Sequence, residues 1–97
     1  MKIIWSPLSI ERLTEISLYV AEDNPTASIK LVDSIYNLVD RLEEFPNSGR
    51  IVPEFNNQDI REIVYNNYRI IYRIGQKEVI VLTIRNYKQI LKADDVN

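Results

Sequence analysis

Arg61, Arg69, Arg73, Arg85 and Lys88 crowd into one part of a 97-residue chain. Histidine and cysteine are both absent. The most common general base near neutral pH and the most common metal ligand are therefore missing. So are a thiolate nucleophile, a thiolate metal site and a disulfide framework. Any chemistry falls to guanidinium and ammonium groups, tyrosine phenols and carboxylates, and neither metal nor cofactor is expected. Grouped arginines bind phosphate or carboxylate. They also pair with acids across a sheet, and for Arg69 and Arg73 the acids within reach are Glu62, Glu78 and others. Arg61 has the same two readings, a ligand contact or a pair with Glu78. Tyr87 is open between an active-site phenol and a packing residue.

The stretch 59–87 must position these groups. It reads as three strands: D-I-R-E-I-V-Y, Y-R-I-I-Y-R-I and E-V-I-V-L-T-I-R-N-Y, rich in β-branched and aromatic residues. Asn66-Asn67 and Gly75-Gln76-Lys77 separate them. Such short connections permit only antiparallel neighbours, hence a meander. In the middle strand Tyr68, Ile70, Tyr72 and Ile74 fall on one face, with Arg69, Ile71 and Arg73 on the other. In the last strand strict alternation sets Ile80, Leu82 and Ile84 against Val79, Val81, Thr83 and Arg85. That strand is apolar on both faces until Arg85, which suits a central place.

Upstream, K-I-I-W (Lys2–Trp5) is a short strand that must join the meander, because a lone strand is not stable. Ser6-Pro7 caps and starts a helix running to about Glu22, with Leu13, Ile16 and Val20 as its apolar stripe, flanked by Ile10 and Tyr19. Asp23-Asn24-Pro25 ends it and starts a second helix over about Thr26–Glu44. There Leu31, Ile35, Leu38, Leu42 and Phe45 form the buried stripe, and Pro46 is the stop. The short link makes the two helices an antiparallel hairpin that covers one face of the sheet. Residues 46–58 are a loop with a short extended Ile51-Val52. A helical turn is expected over Tyr87–Lys92 and a frayed end over Asp94–Asn97. The fold class is α+β in the order β-α-α-β-β-β: an N-terminal strand, a two-helix hairpin, and a mainly antiparallel sheet completed by the C-terminal meander. It forms one domain over 1–97.

The formal net charge is −2. Residues 1–46 carry four Lys/Arg against eight Asp/Glu, and residues 47–92 carry eight against four. Such asymmetry suits a surface for an anionic partner in the second half, or is charge scattered for solubility. No apolar run approaches the length of a membrane span, and Met1-Lys2 leads directly into a strand, so a soluble cytoplasmic protein is expected.

The element order and several motifs resemble the RelE/ParE superfamily of bacterial toxins. The motifs are W-S-P at Trp5–Pro7, L-x-x-I-x-x-Y at Leu13, Ile16 and Tyr19, and L-x-x-F-P-N-S-G-R over Leu42–Arg50. I-R-E-I over Ile60–Ile63, Y-R-I-I-Y-R-I over Tyr68–Ile74 and V-I-V-L-T-I-R over Val79–Arg85 complete the set. The resemblance covers nearly the whole chain. It implies the toxin of a type II toxin–antitoxin pair of the plasmid-stabilisation kind, neutralised by a cognate antitoxin whose disordered tail folds on binding.

Two activities occur in the superfamily: RelE-type members cleave messenger RNA in the ribosome without a metal, and ParE-type members inhibit DNA gyrase. In a RelE-type reading, Arg69 matches an arginine those enzymes use, and Glu54 lies near a carboxylate base of a related branch. Arg85, Tyr87 and Lys88 would complete a variant site. Two lysines of the RelE-type strand fall here on Ile60 and Glu62, however, and a histidine falls near Asn86 and Tyr87. The R-N-Y-K-Q segment also departs from the His and basic pair frequent in ParE-type members. A pI near 5.1 suits a ribosome-docking enzyme poorly. The S-P-x-x-x-x-x-L-x-x-I helix and the P-N-S-G-R loop resemble the ParE branch, which is the favoured one. In that reading Arg61, Arg69, Arg73 and Arg85 are partner-binding residues, and gyrase is the target instead of ribosome and messenger RNA. A non-catalytic interaction module, a small RNA-binding domain with exposed Tyr68 and Tyr72, and a homodimer are the other readings.

Overall fold

A computed structural model describes residues 1–87 and Val96. The candidate Lys88 and the expected turn at Tyr87–Lys92 lie, but for Tyr87, outside the described residues.

β1 is Lys2–Trp5, and Ser6 follows as a cap whose Oγ accepts from the Ser9 N–H at 3.0 Å. Proline at the first position then opens α1, Pro7–Asp23. Asn24 repeats the device: its side chain accepts from the Ala27 N–H at 3.0 Å and α2 runs over Pro25–Asp40. The expected second helix was longer. Its last part is a 3₁₀ turn, Arg41–Glu43, and a second one, Pro46–Ser48, follows. That change of pitch takes Phe45 off the apolar stripe. Phe45 is 62% exposed, so its expected place in the core is corrected.

The sheet has five strands rather than four, in the order β1-β5-β4-β3-β2. The added strand is β2, Arg50–Ile51, only two residues long and at an edge, where Pro53 does no harm. It pairs antiparallel with β3, Ile60–Tyr65. β3, β4 (Tyr68–Ile74) and β5 (Glu78–Asn86) form the expected meander. Asn66 takes φ +53° in the β3–β4 turn, a conformation that asparagine tolerates. β1 joins β5 in parallel, which makes β5 central.

The helices cover one face. Leu13, Leu31, Ile35, Val39 and Leu42 meet Ile70, Tyr72, Val79, Val81 and Ile84 in the main core. Each fully buried aliphatic side chain there contributes about 1.5–3 kcal/mol. A smaller cluster on the opposite face joins Val52, Ile71 and Leu82, with Phe55, Ile60, Ile80 and Val96 around them. The loop after β2 therefore lies over the sheet.

Strict alternation along β5 is broken. The β4–β5 register passes from Ile71↔Thr83 to Tyr72↔Val81 and leaves Leu82 as the extra residue of a bulge. Ile84 consequently joins the helix-side core with Val79 and Val81, while Leu82 belongs to the opposite cluster. Arg85 comes directly opposite Arg69 in the register, on the face away from the helices. The expected grouping of Ile84 with Ile80 and Leu82 is thus corrected.

Tyr72 is fully buried beneath the Pro46–Arg50 segment. Its hydroxyl donates to the Pro46 carbonyl at 2.6 Å and accepts from the Gly49 N–H at 3.0 Å. Burial raises the phenol above its ordinary value of 10.0, against the lowering effects of the Gly49 N–H and the Arg61 charge. The sign for stability follows. Below pH 10 both states hold the proton; above it the unfolded chain releases a proton that the native phenol keeps, so stability falls as pH rises through the raised value. Urea midpoints measured from pH 8 to pH 11 are expected to drop above about pH 10, and the drop is expected to be smaller in Tyr72→Phe. Equal alkaline slopes in both chains would remove Tyr72 as its source.

Candidate functional site

The face away from the helices carries a line of alternating charge. Glu62 comes from β3, opposite Arg50 of β2 and Ile71 of β4. Arg69 stands opposite Val64, one diagonal step from Glu62. The Arg69 Nε and Nη2 donate to Glu62 Oε1 at 2.7 and 2.6 Å. Its Nη1 and Nη2 donate to the two oxygens of Glu54 at 2.7 and 2.8 Å. Glu54 sits on the loop after β2, so the fork of Arg69 ties that loop to the sheet. Glu62 Oε2 accepts from Arg50 Nε. Arg50 in turn lies over the Tyr87 ring, 5.9 Å from its centroid, a cation–π distance.

Two arginines and two glutamates thus balance. Arg69 is 5% exposed and Glu62 1%. The hydrogen bonds to Glu54 raise the Arg69 pKa, burial opposes this, and Glu62 adds to the rise. Arg50 is raised chiefly by its bond to Glu62. Both guanidiniums are thus held more firmly in the charged form.

Of the candidate site residues, Glu54, Arg69, Arg85 and Tyr87 come to the same end of the sheet. Of these, Glu54 and Arg69 are bonded to each other, and Tyr87 lies under Arg50. Arg69 pairs with two acids, Glu62 and Glu54. Arg61 is not part of this group. Its Nε donates to the Gln58 carbonyl at 3.0 Å and its Nη1 to the Gly49 carbonyl at 3.0 Å, so it braces the 46–58 segment rather than pairing with Glu78. Arg73 is exposed, opposite Ile60 and Ile80. Tyr68 is partly buried against the main core and Tyr72 fully buried. A base-stacking platform needs exposed rings, so this counts against the RNA-binding reading.

Sequence reasoning missed Arg50 as a member of the charge line. Its link to Glu62 depends on a two-residue strand that leaves almost no pattern in the sequence.

Residues 3–91 match the model of a family described as the ParE toxin of the type II toxin–antitoxin system parDE. The chain belongs to the ParE toxin family. A relative from Sinorhizobium fredii named "Putative toxin Y4kP" is 36% identical over 90 residues, spanning 91% of this chain and 90% of its own. A solved structure titled "Chromosomal ParDE TA system from P. aeruginosa" superposes with a TM-score of 0.74 at 23% identity. It covers 91% of this chain and 97% of the other, so the ParE fold is shared nearly end to end. Of the two branches weighed from sequence, ParE is the one this chain belongs to. No helix among the described residues of this ParE-family toxin is long and apolar enough to cross a membrane.

Proposed function

We propose that this ParE-family toxin acts by inhibiting DNA gyrase and is neutralised in the cytoplasm by a cognate antitoxin. The observation that carries this over messenger RNA cleavage is the saturation of Arg69. A ribonuclease transition state needs free cations around the phosphate. Here the guanidinium that would serve is engaged by Glu54 and Glu62, and Glu62 stands where the resemblance puts a lysine of the nuclease branch. The carboxylate that would act as base, Glu54, is held by the same arginine. Family membership supports both the gyrase target and the antitoxin.

In a supercoiling assay with purified gyrase, the toxin is expected to block supercoiling, and co-expressed antitoxin to relieve the block. Messenger RNA in a reconstituted translation reaction is expected to stay intact. Codon-dependent cuts inside the ribosome, with gyrase unaffected, would overturn the proposal.

A further inference from the structure

Leu18, Tyr19 and Ile29 are 65%, 72% and 67% exposed, the highest values of any large apolar side chain among the described residues. They stand together at the closed end of the helix hairpin. There Ser28 Oγ of α2 donates to the Ser17 carbonyl of α1 at 2.6 Å. Leu18 and Ile29 each follow one residue of that bonded pair, and Tyr19 comes next to Leu18. The L-x-x-I-x-x-Y motif thus divides: Leu13 and Ile16 belong with the main core, and Tyr19 does not. Single apolar residues are ordinary on a surface; three at one end of one helix pair form a patch. Its rim is acidic. Between Thr14 and Asp33 the charged residues are Glu15, Glu22, Asp23 and Asp33 against Lys30, all exposed. Arg12 offsets part of this by pairing with Glu15 at 3.2 Å. Glu15 and Glu22 share one outward line of α1, roughly 10.5 Å apart, with Leu18 and Tyr19 on its two sides.

We propose that this end of the hairpin is the surface by which the toxin engages gyrase, and that it docks on a Lys/Arg-lined surface of the enzyme that otherwise holds DNA. The proposal deepens the gyrase reading and rests on it. Charge complementarity selects the occupant. An enzyme that acts on DNA must present cations to the phosphates, and an acidic rim is drawn to the same cations. The stems of Lys and Arg are apolar and pack on Leu18 and Ile29, while the face of Tyr19 attracts their charged heads. Burial of the three apolar side chains adds a contribution that phosphates do not supply. A nucleic acid is repelled by the same carboxylates. Occupying the DNA surface gives inhibition directly, with no chemistry required of the toxin.

The test measures binding of the fluorescently labelled full chain to purified gyrase by anisotropy. Two double variants are run beside the parent: Leu18→Gln with Ile29→Gln, which removes the apolar patch, and Glu22→Lys with Asp33→Lys, which reverses part of the rim. All four side chains are exposed, and glutamine and lysine are good helix formers, so both variants are expected to keep the parent thermal midpoint. Each is expected to bind gyrase at least about tenfold more weakly. Parent binding is expected to weaken as salt is raised and to be displaced by a linear DNA duplex. The parent tests the gyrase reading and the variants test the surface. A parent that does not bind gyrase overturns both. A parent that binds, with variants that bind equally well, overturns the proposal alone. Weakened variants with no competition from DNA overturn the DNA-surface assignment. Both variants are also expected to bind purified antitoxin as the parent does and to sediment with the same mass. Loss of antitoxin binding with gyrase binding intact, or a parent dimer that Leu18→Gln with Ile29→Gln dissociates, assigns the patch to another partner and overturns the proposal.

Discussion

Arg69→Ala is expected to cost about 3–5 kcal/mol of unfolding free energy, the usual penalty for removing one partner of a buried ion pair. Glu62 has no exposed side-chain surface and, among the described residues, would be left with Arg50. Glu54, 23% exposed, would lose both of its bonds to Arg69 and with them the anchor of its loop. A domain of this size has about 5–15 kcal/mol in total, so the loss is a large share of its stability. Urea unfolding of the purified variant measures this directly.

A companion chain separates structure from chemistry. In Arg69→Met with Glu62→Met and Glu54→Leu, the remaining member of the described ion pairs is Arg50, which is 53% exposed and stays hydrated. Stability is expected to return to within about 2 kcal/mol of the parent, since apolar replacement of a whole buried network is often neutral. If the network serves the fold, this triple variant still inhibits gyrase. If Arg69→Ala keeps its midpoint but loses toxicity, Arg69 is a functional cation and the assignment of the network is wrong.

The second large effect is at Gly49. Its φ is −77°, so backbone strain is not the constraint. Close approach is. A Cβ at this position would lie 2.5 Å from the Tyr72 hydroxyl oxygen, 2.6 Å from the Glu62 carbonyl oxygen and 2.9 Å from Tyr72 Cε1. One of these atoms is backbone in β3, and the others belong to a fully buried ring. Nothing there yields cheaply. Overpacking costs about 1–3 kcal/mol, and losing the Tyr72 hydroxyl bonds to Gly49 and Pro46 adds roughly 1–3 kcal/mol. Gly49→Ala is therefore expected to lower the thermal midpoint by at least about 8 °C, at 4–8 °C per kcal/mol for a chain of this size. Pairing it with Tyr72→Phe is expected to recover part of the loss, because the nearest atom is then gone. A midpoint within about 2 °C of the parent for Gly49→Ala would mean that the Pro46–Arg50 segment is not held as described.

Both effects arise in the 46–58 segment, which the sequence marks only as a loop. It is held from several sides: Tyr72 under Pro46 and Gly49, Arg61 on the Gly49 carbonyl, Arg50 on Glu62, Glu54 on Arg69, and Val52 in the second apolar cluster. Few of these contacts leave a local trace, because each joins residues far apart in the chain.

The sequence by itself determined what is local. Ser6-Pro7 and Asn24-Pro25 set both helix starts, since capping needs only neighbours. β-branched runs set β3, β4 and β5, and Asn66 set their first turn. Stripe positions such as Leu31 and Ile35 determined which helix face is buried, because the helical period is fixed. Ordered motifs along the chain were enough to indicate its superfamily. Tertiary structure alone decided the rest. The bulge at Leu82 shifts the alternation of β5 and carries Arg85 to the face of Arg69; one extra residue leaves no mark on composition or period. The 3₁₀ turn after Asp40 took Phe45 out of the core. Above all, whether Arg69 is an available cation or a spent one depended on register. Glu62 reaches it only through the β3–β4 pairing, and Glu54 only because the 46–58 segment folds over the sheet. The charge of an arginine is read from its type, but its availability depends on which carboxylates the fold brings within 3 Å of it.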